Sequence, residues 1–167
     1  MLSFLWCLLY VTVLGILSHC VGEALPREWF RADAAPFKPY DWEQNGRIYE
    51  RLGIRRWKDH LPDMSRVMRD MTPKRLSWGM NAEQIQNLVA ETCVAEMVHR
   101  VLCVLSVGIC LIMPSGLGLF LTAVYILVFN VPFIMIQRYN RPQLIRLAEK
   151  LEARRERIQN ACADIVM

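Results

Sequence analysis

The chain has 167 residues, 54% of them hydrophobic, and a mean hydropathy of +0.20. It is too short for two ordinary domains and too apolar for a typical soluble one, so a bilayer is its expected solvent. The net charge of +4 does not point to nucleic acid, because basic residues beside apolar runs meet anionic headgroups or a phosphate-bearing substrate instead.

Residues 2–21 contain no Asp, Glu, Lys or Arg. At about 1.5 Å per residue a helix of this length crosses a hydrocarbon core of about 30 Å. The run lacks the basic n-region and short h-region of a signal peptide, so a retained anchor is expected. The polar segment 22–91 follows. Over residues 23–40, Trp29, Phe30, Phe37 and Tyr40 mingle with Arg27, Arg31 and Lys38, a mixture typical of the membrane interface. Asp41 to Leu52 is a short helix candidate, although Asn45-Gly46 also fits a turn.

Asn81 followed by Gln84 has the pattern of a capping box, so a helix is expected from there through Met113. Its apolar part, 92–113, carries Glu96, His99 and Arg100. Pro114 and Gly116 stop it, and the uncharged run 117–136 returns as the second arm of a hairpin, with Pro132 as an expected kink. Asn140 suits an N-cap and Pro142 an early position of a further helix. In 137–167, Leu144, Leu147, Ala148, Leu151 and Ile158 recur at helical spacing against a charged face, which marks an amphipathic helix rather than a fourth crossing.

Of the twenty Lys and Arg residues, twelve lie in 22–92, one is Arg100 and seven lie from Arg138 onward. The positive-inside rule therefore puts the middle segment and the tail in the cytoplasm and the N-terminus outside. The expected architecture is a single-domain, all-α membrane protein with three transmembrane helices, N-out and C-in, located in the cell membrane with its active face cytoplasmic.

The six Cys residues form no C-x-x-C pair and no zinc-like spacing and read as small hydrophobes. One copy of Glu-x-x-His and three His in all do not make a di-iron or His-rich site. Neither metal nor cofactor is expected.

Ionisable groups inside a membrane helix are costly and usually functional. Glu96 and His99, three residues apart, share one helical face. A carboxylate beside a His fixes the imidazole tautomer and makes it a better base towards a hydroxyl, which suits acyl transfer. The bland alternative is that Glu96, His99 and Arg100 snorkel at a helix end. A second cluster, Arg55-Arg56-Trp57-Lys58-Asp59-His60-Leu61-Pro62-Asp63, has the chemistry to grip thioester phosphates or order a sugar, or else to anchor at the interface. A third, Arg138, Asn140 and Arg141, also reads as a topology determinant.

Trp57-Lys58-Asp59-His60-Leu61-Pro62 resembles a WKDxLP motif, Glu91-Thr92 with Ala95-Glu96 and His99 resembles ETxxAExxH, and Asn130-Val131-Pro132 through Gln137-Arg138-Tyr139-Asn140-Arg141-Pro142 resembles NVP…QRYNRP. In this order and spacing, over roughly residues 40 to 155, they resemble the glycosyl-4,4'-diaponeurosporenoate acyltransferase family of carotenoid biosynthesis, of the staphyloxanthin pathway type. The resemblance implies esterification of the primary hydroxyl of a carotenoid-linked glucose, or of a similar glycolipid, by a fatty acyl group from acyl-CoA or acyl carrier protein.

It further implies that His99 is the general base, that Glu96 orients it and that Glu91 is a second carboxylate. Lys58, Arg138, Asn140 and Arg141 would stabilise the oxyanion or hold donor phosphates, while Trp57 and Tyr139 would stack on sugar. The chain lacks the H-x-x-x-x-D signature of glycerolipid acyltransferases, so its catalytic pair stands on its own. The competing expectation is a non-enzymatic membrane scaffold or accessory subunit of a lipid-processing complex. An enzyme predicts that Glu96, His99, Lys58 and Arg138 converge, and a scaffold predicts that they scatter.

Overall fold

The computed structural model describes residues 2–61 and 80–166, with side chains through Cys162. Pro62 and Asp63 of the basic cluster lie outside the described residues. Among the described residues the regular structure is helical, with no strand. Three helical stretches, Leu2–Ala24, Ala82–Ile112 and Gly116–Cys162, are long and apolar enough to cross a membrane.

Helix α1 (Leu2–Ala24) exposes Leu2, Trp6, Leu9, Ile16 and Leu17 and buries only Cys7 and Gly22. So large an exposed apolar surface is what a lipid-facing helix requires. Its docking uses small residues and side-chain hydrogen bonds from Cys7 and Tyr10. Gly22 lies against Val98, whose Cγ2 would sit 3.3 Å from an added Cβ, and the Tyr10 hydroxyl donates to the Leu105 carbonyl at 2.7 Å.

After α1 the chain forms short turns and two brief helices, α2 (Arg47–Arg51) and α3 (Ile54–Trp57). The turn before α2 has three consecutive left-handed residues, Gln44, Asn45 and Gly46. Gly46 is also needed for close approach, since a Cβ there would stand 3.4 Å from the Tyr139 carbonyl oxygen. The expected helix over Asp41 to Leu52 is thus a 3₁₀ turn followed by α2, with the Asn45-Gly46 break between them.

Helix α4 (Ala82–Leu105) starts with the expected capping box: Asn81 accepts from the Gln84 amide at 2.8 Å, and Gln84 accepts from the Asn81 amide at 3.0 Å. At Ser106 the ladder slips, because the Ile109 amide donates to Ser106 rather than to Leu105. The freed Leu105 carbonyl is the one that Tyr10 takes up. Helix α5 (Val107–Ile112) completes this arm. Ser115 caps α6 (Gly116–Phe129), accepting from the Gly118 amide at 3.3 Å, and Thr122 on α6 meets Cys110 on α5 at 3.1 Å.

The last helix, α7 (Val131–Val166), differs from expectation in where it begins and how far it runs. The break lies at Asn130 (φ −124°, ψ −50°), which puts Pro132 in the first turn of α7, where its missing amide does no harm. The expected new start at Asn140-Pro142 does not occur. Pro142 is inside the continuous helix, its neighbours Arg138, Tyr139 and Arg141 are buried, and the Gln143 side-chain Nε2 donates to the Tyr139 carbonyl at 3.1 Å. The buried side chains of the turn before Pro142 hold the helix through it. The α4–α7 pairing is the most extensive helix packing in the described chain, and the candidate site is built on it.

Candidate active site

Glu96 is fully buried where α4 faces α7. Its carboxylate is surrounded by arginines: Arg100, one turn along α4, at 2.5 Å, Arg138 at 2.7 Å and Arg141 at 2.5 Å from α7. Arg138 and Arg141 are three residues apart, so they leave α7 on one face. A carboxylate this deep is tolerable only because it is paired and hydrogen-bonded throughout.

The same two arginines tie the polar segment down. Arg138 forms an ion pair with Glu43 and donates to the carbonyls of Pro36 and Lys38 at 3.3 and 3.1 Å. Arg141 donates to the Phe37 carbonyl at 2.6 Å and to Thr92 Oγ1 and its carbonyl at 2.9 and 3.0 Å. Glu43 in turn accepts from the Tyr49 hydroxyl and the Tyr40 amide. Burial pushes the Glu43 carboxyl up, but hydrogen bonds from Arg138, Tyr49 and the Tyr40 amide outweigh it and hold the group below the ordinary carboxylate value. Burial first, and then the bond to Glu43, push the Tyr49 phenol well above the usual tyrosine range.

His99 lies one turn along α4 from Glu96 but looks elsewhere. Its Nδ1 is 3.0 Å from Asn130 Oδ1, and its ring stacks on Phe133, centroids 4.9 Å apart and planes 7° from parallel. Asn130 is 1% exposed and donates through Nδ2 to the Tyr125 carbonyl at 2.9 Å. The expected Glu96–His99 pairing is therefore corrected. Glu96 turns to three arginines, two from another helix, and the group that meets His99 Nδ1 is the Asn130 amide.

The other expected residues separate into two places. Glu91 is held by Arg27 at 2.6 Å through Nε and 3.3 Å through Nη2. Tyr139 is buried under Gly46, with Lys58 Nζ 5.3 Å from its ring centroid and Arg55 Nε donating to its hydroxyl at 3.1 Å. That ring is not available to stack on a sugar. Trp57 is half-buried, its indole donating to the Leu52 carbonyl at 3.2 Å, and Asp59 is exposed. Asn140 is half-buried on α7 between Tyr139 and Arg141.

A groove of about 670 Å³ opens between residues 32–39, α4 and α7, lined by Lys38, Pro39, Val89, Ile145 and Ala148 among others. At about 1.5 Å per helical residue it begins about 15 Å along α4 from His99, with the Glu96 network between. Sequence reasoning missed Glu43, Arg27 and the role of Asn130. Asn130 stands in a recognised motif, whereas the Arg138 partner of Glu43 and the Glu91 partner of Arg27 lie 95 and 64 residues away, which no local pattern shows.

A family model described as glycosyl-4,4'-diaponeurosporenoate acyltransferase matches residues 26–150. The chain belongs to that family. Proteins of the same name from Staphylococcus aureus are similar along nearly the whole length. The one from strain bovine RF122 / ET3-1 is 28% identical over 91% of this chain and 92% of its own, and the one from strain N315 is 29% identical over the same shares. No solved structure matches. The range matched by the acyltransferase family starts just before Arg27 and takes in the Glu43–Arg138–Glu96–Arg141 network and the His99–Asn130 pair. It leaves out α1 and the exposed end of α7.

Proposed function

We propose that this protein transfers a fatty acyl group from an acyl thioester to the primary hydroxyl of a glucose carried on a carotenoid acid or a similar lipid, at the cytoplasmic face of the cell membrane. The observation that carries this reading is the family match over residues 26–150, joined to a His on an apolar helix beside a buried amide. Both substrates are lipidic, which suits a base placed on a membrane helix near a polar, arginine-rich layer.

In the proposed reaction His99 takes the proton of the sugar hydroxyl as its oxygen attacks the thioester carbonyl. The tetrahedral adduct collapses by breaking the C–S bond, and the leaving sulfur receives the proton from the imidazolium. The products are one ester and one thiol. Trp57, Lys58, Asp59 and Asn140 are the expected contacts to sugar hydroxyls or donor phosphates. Arg138 and Arg141 have their donors committed to Glu43, Glu96, Thr92 and backbone carbonyls. Their proposed part is to fix residues 36–43 against α4 and α7, which shapes the site without touching substrate.

The test is transfer by the purified full-length protein in liposomes, offering a labelled long-chain acyl-CoA or acyl carrier protein and a glucosylated lipid, with products read by mass spectrometry. Appearance of the acylated glycolipid with one of the donors is expected. Failure to acylate any hydroxylated lipid with either donor would overturn the reading in favour of an accessory subunit.

A further inference from the structure

His99 and Asn130 are 31 residues apart and meet only because the hairpin closes. The pair defines its own proton positions. Amide oxygen and nitrogen are commonly indistinguishable by shape, but here the second partner decides. The Tyr125 carbonyl can only accept, so the Asn130 atom 2.9 Å from it is the NH₂ group. Asn130 Oδ1 is then the atom that faces His99 Nδ1 at 3.0 Å, and an amide oxygen can only accept. Nδ1 therefore carries the hydrogen, and a neutral imidazole in that state has its lone pair on Nε2.

Two further features make this arrangement firm. Asn130 is 1% exposed, so water does not compete for its amide, and the face-to-face contact with Phe133 fixes the plane of the ring. Asn130 is also held from its own backbone side. It ends α6, its amide bonded to Ile126 and its carbonyl accepting from Ile134 of α7, so the side chain issues from a break pinned by both helices.

We infer that Asn130 is a positioning residue that holds the His99 ring through its Nδ1–H and so favours the neutral tautomer whose basic lone pair is on Nε2. This rests on the reading of His99 as the general base. It extends that reading by replacing the carboxylate orienter with an amide and by naming which nitrogen takes the proton.

The experiment uses full-length protein with ¹⁵N-labelled histidine, studied above the pH at which the imidazoles titrate. The His99 resonances are those missing from His99→Ala. The wild type is expected to show a protonated Nδ1 and an unprotonated Nε2 at His99. Asn130→Ala is expected to lose that preference and to lower kcat about tenfold or more with KM for the acceptor little changed, and Asn130→Asp, which keeps the acceptor oxygen, to restore both. A protonated Nε2 in the wild type, or an unchanged tautomer in Asn130→Ala, would overturn the inference. Asn130→Asp keeps the test open if the alanine variant does not fold, since failure of a folded aspartate variant to hold the tautomer also overturns it. If the tautomer behaves as expected while His99→Ala transfers acyl groups at the wild-type rate, the general-base reading fails and the positioning contact stands.

Discussion

Arg141 Nη2 donates to Glu96 Oε2 at 2.5 Å, joining α7 to α4 at a point where neither side chain reaches the surface. The contact makes Glu96 a structural counter-ion. Replacing it by Gln takes away the carboxylate that Arg141 meets and leaves Arg138 with Glu43, and breaking one partner of a buried pair costs about 3–5 kcal/mol. Glu96→Gln is therefore expected to lower the thermal midpoint of the detergent-solubilised protein sharply. A variant that melts like the wild type but loses activity would instead mean that Glu96 acts on the chemistry.

Glu43 sets an acid limit on the attachment of the polar segment. Its folded pKa lies below the ordinary value of 4.5, so the stabilisation from its bonds to Arg138, Tyr49 and the Tyr40 amide is fully present above that value. The stabilisation is lost as pH falls through the lower, folded pKa. Thermal midpoints measured from pH 7 downward are expected to fall below about pH 4.5, and Glu43→Gln is expected to start lower and to lose less over that window. Parallel curves for the two proteins would show that another carboxylate sets the limit.

Gly118 is required by the hairpin turn. A Cβ there would stand 1.9 Å from the Met113 carbonyl oxygen, a backbone atom that cannot swing away. Overpacking of this kind costs about 1–3 kcal/mol or more. Gly118→Ala is expected to melt several degrees below the wild type, whereas Gly116→Ala, with nothing near the added carbon, is expected to match it. Equal midpoints for the two variants would mean that the turn rearranges freely.

Much of the fold is legible in the residues because its signals are local. The three apolar runs, the Asn81–Gln84 capping box and the Pro114–Gly116 stop each depend on neighbours within a few positions, and the structure has all of them. The restart expected at Asn140-Pro142 is equally local and does not occur, because Arg138, Tyr139 and Arg141 hold the turn before Pro142 through partners far away in the chain. Glu96 and His99 share a helical face as their spacing requires, but spacing cannot tell that Arg138 and Arg141, 42 and 45 residues on, take the carboxylate. Nor does it show that the His meets Asn130 across the hairpin.

The most direct measurement is the acyl-transfer rate of His99→Ala beside wild type, in liposomes, with folding of both checked by thermal melt. The general-base account predicts that the variant stays folded and loses about 10²-fold or more in kcat, the usual scale of general acid–base catalysis. A folded His99→Ala protein that transfers acyl groups at the wild-type rate would contradict it.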